Sequence, residues 1–440
     1  MIRRGFFSSR RSRPLAALVA APLLAALAVS ACSSSGSSSS AAGASSAAGT
    51  SAAGTGAASA AASGATGTPY VLGSIGSYTG PIAGDITVTE QIFQIWSDYV
   101  NANGGINGHP VKVISMDDGG NPATAVTDAN KLVADHVLAI VGEESPLYPA
   151  WAPIFDKAGI PVIGGQNIAT NFTTDPLWFP SSAGGLGDTY GVLAEMSKQD
   201  KTKLGVVYCS EAPDCAKSSQ LWQAAIKVYN PVLPNKLSFV YSGAASSSAP
   251  DYSSQCLAAK QAGVNSLYMA LPTATAVRVM QDCAAQGLKP LPVVGAQVAT
   301  AAWATPGNIM SGVLSYEGTF PWTADNTPAT QAFQAAIQKY DPSFVTTAGY
   351  SDAASELWVS TELFRAAAIS GKLGNNPTAQ DVVNAMYTLP KNYTVNGLTS
   401  TLNFIKGKPA PVVPCGFVTE LQNAKYVAPD GSAAICPPAS

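Results

Sequence analysis

The sequence predicts an α/β protein of two doubly wound, mainly parallel sheets, preceded by a targeting segment and a long tether. Three observations carry this. Short apolar runs alternate with helical patterns from residue 70 onward, and the alternation restarts after a loop-rich stretch at 165–187. The helical segments carry one-sided apolar stripes, with Ile92, Ile95, Trp96, Tyr99 and Val100 at i, i+3, i+4, i+7 and i+8. The 440 residues, 47% of them hydrophobic, allow two to three domains with large cores.

In order, strands are expected at 70–75, 111–116, 137–141 and 161–163. A helix ending at Asn103-Gly104-Gly105 follows the first, and Asn121-Pro122 supplies an N-cap and an N1 proline for the next. A third helix is expected at 149–157. After the loop-rich stretch the pattern predicts helix 188–199, strand 204–208, helix 216–229, strand 237–241, helix 251–261, strand 266–270, helix 275–286 and strand 293–294. A strand within 312–320 then leads to helices 327–340, 350–370 and 378–388, and 412–435 reads as a strand pair.

The chain begins with Arg3, Arg4, Arg10, Arg11 and Arg13, then an Ala/Leu-rich run over 15–29, then Val29-Ser30-Ala31-Cys32. This resembles the lipobox of bacterial lipoproteins, which implies lipid on Cys32 and an extracytoplasmic, membrane-anchored location. An ordinary signal peptide or a single membrane-spanning anchor is the alternative. Arg3-Arg4-Gly5-Phe6-Phe7 faintly resembles a twin-arginine export signal. Residues 33–68 contain only Ser, Ala, Gly and Thr, so they have no large side chain to bury and read as a disordered tether. Its root-mean-square span is on the order of 33 Å.

Charged residues make up 12% of the chain and the net charge is −3. There is no basic surplus or stripe, which sets nucleic acid aside as a partner. With Cys32 assigned to lipid, six cysteines remain, an even number in an oxidising compartment. Sequence proximity favours Cys209–Cys215, Cys256–Cys283 and Cys415–Cys436, with free buried thiols as the alternative. No C-x-x-C pair exists and neither histidine neighbours a cysteine, so no metal site is expected.

Four segments together resemble the leucine/isoleucine/valine-binding protein family, the type I periplasmic solute-binding proteins of ABC transporters. They are Ile75-Gly76-Ser77-Tyr78-Thr79-Gly80-Pro81, then Val100-Asn101-Ala102-Asn103-Gly104-Gly105-Ile106-Asn107-Gly108, then Asp117-Asp118 with Pro122, and Ala158-Gly159-Ile160-Pro161-Val162-Ile163. The resemblance implies two lobes joined by a three-crossover hinge, 70–187 plus 319–411 and 188–318 plus 412–440, with a ligand in the cleft. It implies a binding protein and not an enzyme, without a cofactor, acting as a monomer beside permease and ATPase subunits on other chains.

Ligands of open α/β sheets bind beyond the carboxyl ends of strands, near helix N-termini that suit anions. The loops at Ser77–Gly80, with Tyr78, and at 143–148, with Glu144, fit that place. The resemblance puts Ser145 on the serine that binds an amino-acid carboxylate, and Gln166 and Asn167 on the adjoining loop. Ser145 also reads as a helix N-cap. On the second lobe Gln297 stands where amino-acid-specific members carry a glutamate, and Glu211 and Thr273 fall on loops of the same cleft. An amide there loses the charge-assisted bond to an ammonium. The expected ligand is therefore a small polar solute whose acceptor-rich end meets Ser145 and the 166–167 loop, while Gln297 and Glu211 read its other end. Leucine, isoleucine and valine should bind weakly unless Glu211 or Glu144 supplies the missing carboxylate.

Other functions find less support. The sequence has no G-x-S-x-G elbow, P-loop, H-E-x-x-H or dinucleotide fingerprint, and His109 and His136 read as structural. Asp117-Asp118 reads as a surface turn beside a helix cap. Glu143-Glu144 divides between ligand contact and solvated loop. A ligand sensor for a signalling receptor is the main alternative to a transport component.

Overall fold

The computed structural model describes residues 64–438, apart from 81, 82, 84, 85, 167, 168, 212 and 296. The targeting segment, Cys32, residues 33–63 of the tether and Asn167 lie outside the described residues.

The first sheet has strand order β2-β1-β3-β4-β5, all parallel. Its strands are β1 (Tyr70–Gly76), β2 (Val111–Asp117), β3 (Ile140–Glu143), β4 (Val162–Gly165) and β5 (Trp178–Phe179). Between them run α1 (Gln91–Ala102), α2 (Pro122–Ala134) and α3 (Tyr148–Ala158). The α1 stripe buries Ile92, Ile95, Trp96 and Val100, as its spacing predicts. Asn121 caps α2 by accepting from the Ala123 and Thr124 amides, with Pro122 behind it at N1.

The second sheet contains β6 (Lys203–Cys209), β7 (Ser238–Ala245), β8 (Ser266–Ala270), β9 (Leu291–Val294), β10 (Leu314–Glu317), β11 (Phe417–Gln422) and β12 (Lys425–Val427). Its order is β12-β11-β10-β9-β8-β6-β7, with β11 antiparallel to both of its neighbours and the other pairs parallel. Helices α4 (Thr189–Lys198), α5 (Pro213–Tyr229), α6 (Ser253–Gln261) and α7 (Thr273–Ala285) belong to this part of the chain. The chain then returns to the first sheet with α8 (Pro328–Tyr340), α9 (Asp352–Ser370) and α10 (Ala379–Met386). It thus passes between the two sheets three times: after β5, after β10 and before β11.

Each sheet is covered on both faces, as parallel strands require. In the first, Trp96, Leu357, Trp358 and Phe364 fill one side, and Trp151, Phe155 and Trp178 fill the other. In the second, Trp222 and Tyr268 lie on one side and Tyr252, Met269 and Met280 on the other. The three expected disulfides are formed, Cys209–Cys215, Cys256–Cys283 and Cys415–Cys436, all in or beside the second sheet.

Two details depart from expectation. The third strand begins at Ile140, not 137, and ends on Glu143. The preceding Val137 amide donates to Leu132 O and so still closes α2. At the tether's end the Gly67 amide donates to Gly108 O at 3.0 Å. Thr68 O meets His109 Nδ1 at 2.8 Å, and the His109 ring stacks on Tyr70. The last tether residues are therefore docked, not free, and His109 holds them.

Candidate functional site

In the first sheet the strand order reverses at β1, which lies between β2 and β3. The carboxyl ends of β1 and β3 flank a crevice there. Backbone bonds lace these ends together. The Glu144 amide donates to Ile75 O at 2.9 Å, the Ser77 amide to Glu144 O at 3.1 Å, and the Gln166 amide to Glu143 O at 2.8 Å. Gly165 makes the last approach possible. Its φ is +129°, and a Cβ there would lie 2.2 Å from Glu143 O.

The side chains placed by this lacing are acidic. Glu143 and Glu144 are 0% exposed, Asp118 1%, Asp352 3% and Glu356 5%. The solvated-loop reading of Glu143-Glu144 and the surface-turn reading of Asp118 are both overturned. Asp352 and Glu356 come from α9, which packs on β3 and β4 and is buried almost all round. Four residues apart, they lie on one helix face.

Ser77 and Ser145 converge on Asp118. Ser77 Oγ donates to Asp118 Oδ1 at 2.6 Å, and Ser145 Oγ donates to Asp118 Oδ2. Ser145 Oγ also accepts from the Leu147 amide at 3.3 Å, ahead of α3. Tyr78 folds over Gly76 and its hydroxyl lies 3.4 Å from Ser74 Oγ.

Gln297 crosses from the second sheet. It follows β9 with a left-handed φ of +73°, unusual for a residue with a Cβ. Its amide Nε2 donates to Glu144 Oε2 at 2.7 Å and Glu356 Oε2 at 3.2 Å. Its backbone N–H donates to Asp352 at 2.6 Å, and its Oε1 accepts from Gln166 Nε2 at 3.1 Å. Gln297, Glu144 and Gln166, singled out in the sequence, are thus brought together. Behind Gln297, Gly295 lets the Tyr268 and Tyr316 hydroxyls close on the backbone, since a Cβ there would sit 3.0 Å from each.

Two sequence candidates fall outside this cluster. Glu211 bonds the Ser246 hydroxyl at 2.8 Å and the Ser247 amide at 2.7 Å, so its carboxylate serves an exposed turn. Thr273 opens α7, and its hydroxyl donates to Val298 O at 2.8 Å. Sequence reasoning missed Asp352 and Glu356. Their signal was an i,i+4 acidic pair spaced by Ala353, Ala354 and Ser355, small residues that let a helix pack closely.

Burial is the largest influence on the cluster and pushes the Glu143, Glu144 and Glu356 carboxyls well above the ordinary range. Repulsion adds to it, chiefly from Glu143 on Glu144 and from Glu144 on Glu356. Bonds from Gln166 and Gln297 to Glu144, and from Gln297 to Glu356, pull the other way. Among the described residues no group of three or more His, Cys, Asp or Glu could hold a metal ion.

Two covered sheets, three chain crossings and a polar contact at strand ends define a two-bodied receptor for small solutes. The chain belongs to the periplasmic binding protein family, whose pattern it matches over residues 69–425. Proteins of this family bind solutes and do not transform them, and membership implies an extracytoplasmic location. An amino acid binding protein of Pseudomonas aeruginosa is 38% identical over 96 residues, 20% of this chain and 25% of that protein. The match thus spans about a quarter of that relative's length. A Leu/Ile/Val-binding protein homologue of Brucella abortus is 26% identical over 254 residues, 57% of this chain and 67% of that one. The fold is shared with a fatty acid ABC transporter substrate-binding protein from Thermomonospora curvata. The TM-score is 0.67 at 17% identity, over 84% of this chain and 93% of that chain.

Proposed function

We propose that this chain is the solute receptor of an ABC transporter, held outside the membrane by lipid on Cys32 and a tether over 33–68. It captures a small polar solute between the two sheets by hinge closure and presents it to permease and ATPase subunits on other chains. One observation carries the reading: Gln297 of the second sheet meets Glu144, Gln166, Asp352 and Glu356 of the first in a buried polar contact at the strand ends. Such a contact between two bodies joined by chain crossings is what a hinge closes on. Among the described residues no helix is long and apolar enough to cross a membrane. The likeness to transporter-linked binding proteins supports the same conclusion.

The test begins with solute released by denaturing the exported protein, identified by mass spectrometry. Small-angle scattering with and without that solute should show a smaller radius of gyration when bound. A micromolar solute supplies about −8 kcal/mol, enough to favour closure if contacts from both bodies form only there. An unchanged radius at saturation would count against closure. A denatured extract without any solute, together with a thermal-shift screen without a hit, would remove the receptor reading.

A further inference from the structure

The cluster that Gln297 enters is built almost wholly of hydrogen-bond acceptors. Glu143 ends β3 and Glu144 follows it, Asp118 follows β2, and Asp352 and Glu356 lie in the first turns of α9. The charges acting most strongly on Glu143, Glu144 and Glu356 are other carboxylates: Asp118, Asp188, Asp352 and one another. Glu143 Oε1, Glu144 Oε1 and Glu356 Oε1 are buried without a hydrogen-bond partner. Buried acceptors without donors are rare in folded proteins and call for an explanation.

The donors already present are few and committed. Ser77 and Ser145, positioned to receive a solute carboxylate, give their hydroxyls to Asp118 instead. A carboxylate entering here would meet a buried carboxylate behind both serines and two more beside them. The group that does reach Glu144 and Glu356 is an amide NH2, donated by Gln297. In the second sheet, the Tyr268 and Tyr316 hydroxyls approach the Gly295 backbone, two residues before Gln297, and their rings pack on Trp222 in that sheet's core. Buried carboxyl groups whose oxygens lack donors suit a cation that carries N–H donors. Among the described residues no group of three His, Cys, Asp or Glu side chains could hold a metal ion, which favours an organic cation over a metal.

We infer that the solute is an organic cation rich in N–H donors, an alkylammonium or guanidinium compound. Glu144 and Glu356 receive it in place of the Gln297 amide. This deepens the receptor reading and rests on it.

Calorimetry on the full chain with agmatine, putrescine, leucine and calcium chloride tests the inference. Agmatine or putrescine should bind at least tenfold more tightly than leucine. Glu144→Gln and Glu356→Gln should each weaken that binding ten- to a hundredfold while leaving the circular dichroism spectrum and Tm unchanged or the Tm raised. The Tm separates a lost anchor from a lost fold, because an amide of the same shape keeps an oxygen to accept from Gln297 and removes repulsion among the buried acids. Leucine binding more tightly than both amines would overturn the organic cation and leave the receptor reading standing. Heat from calcium alone would overturn it in favour of a metal. Silence from both amines also overturns it, and the denatured extract then decides whether the receptor reading survives.

Discussion

The two sheets bring opposite materials to the contact at Gln297. The first-sheet wall gathers Asp118, Glu143, Glu144, Asp352 and Glu356, all buried. The second-sheet wall offers the Gln297 amide and the phenols of Tyr268 and Tyr316. Their supports differ too. The first sheet leans on a large apolar core running from Tyr70 to Phe417, with no disulfide among the described residues. The second carries Cys209–Cys215, Cys256–Cys283 and Cys415–Cys436. Each side draws its stability from a different source. Burying like charges is costly, and the acidic wall sits on the part of the molecule with the most apolar packing to offset it. The neutral wall carries no such burden, and covalent links fix its helices and its β11–β12 edge.

The largest expected effect breaks that contrast in support. Cys256→Ser with Cys283→Ser opens a link between α6 and α7 with a sequence separation of 27. Loop entropy puts its contribution at about 3.5 kcal/mol. Hydrogen exchange should show protection lost in β8 and α7 while β1 and β3 keep theirs. Equal loss in both sheets would mean that they unfold as one unit and that the contrast in support has no energetic meaning.

A smaller effect tests the contrast in charge. Gln297→Glu places another carboxylate against Glu144 Oε2 and Glu356 Oε2, where the amide now donates at 2.7 and 3.2 Å. The family resemblance would put a glutamate there, yet the change should not create leucine binding here, because the opposing side chains are already acidic. Stability should fall by on the order of 2 kcal/mol at neutral pH, read by thermal melting. The loss should shrink near pH 5, where the introduced carboxyl, once protonated, can donate as the amide did. Tight leucine binding by Gln297→Glu would show that the acidic wall does not dominate the site.

Much of the fold was legible because parallel strands buried on both faces leave continuous apolar runs, and because Asn121-Pro122 and Asn103-Gly104-Gly105 mark helix ends. The exceptions share a cause. β5 is only Trp178–Phe179, too short to rise above its loop. β3 ends in a glutamate that no apolar pattern would include. Of the residues gathered at the candidate site, Glu144 was legible from a loop at a strand end, and Gln166 and Gln297 from the family resemblance. Asp352 and Glu356 were not, since a charged pair on a helix ordinarily reads as a solvated face, and only packing against β3 and β4 turns it inward. Glu211 erred the other way. Its loop follows a cleft-facing strand, but Ser246 and Ser247 satisfy its carboxylate locally.

The smallest effect is a pH dependence, and its sign follows from the acidic wall. Glu143, Glu144 and Glu356 are held above the ordinary carboxyl range, first by burial and then by one another. They face Asp118, Asp188 and Asp352 as well, with Gln166, Gln297 and the Ser145 amide as the donors nearby. In the unfolded chain these carboxyls return to ordinary values, so across the interval between the two the folded state binds more protons. Stability then falls with rising pH. The favourable contribution is whole below the unfolded value and is lost as pH climbs through the raised folded values. Calorimetric melting should therefore show Tm declining as pH rises above the ordinary carboxyl range. Glu144→Gln with Glu356→Gln should flatten the decline, since the amides cannot ionise. The same pair of changes should leave the response of the second sheet to loss of Cys256–Cys283 untouched. A Tm that rises over this interval, or a slope that survives both substitutions, would show that the cost of ionisation does not lie in this wall.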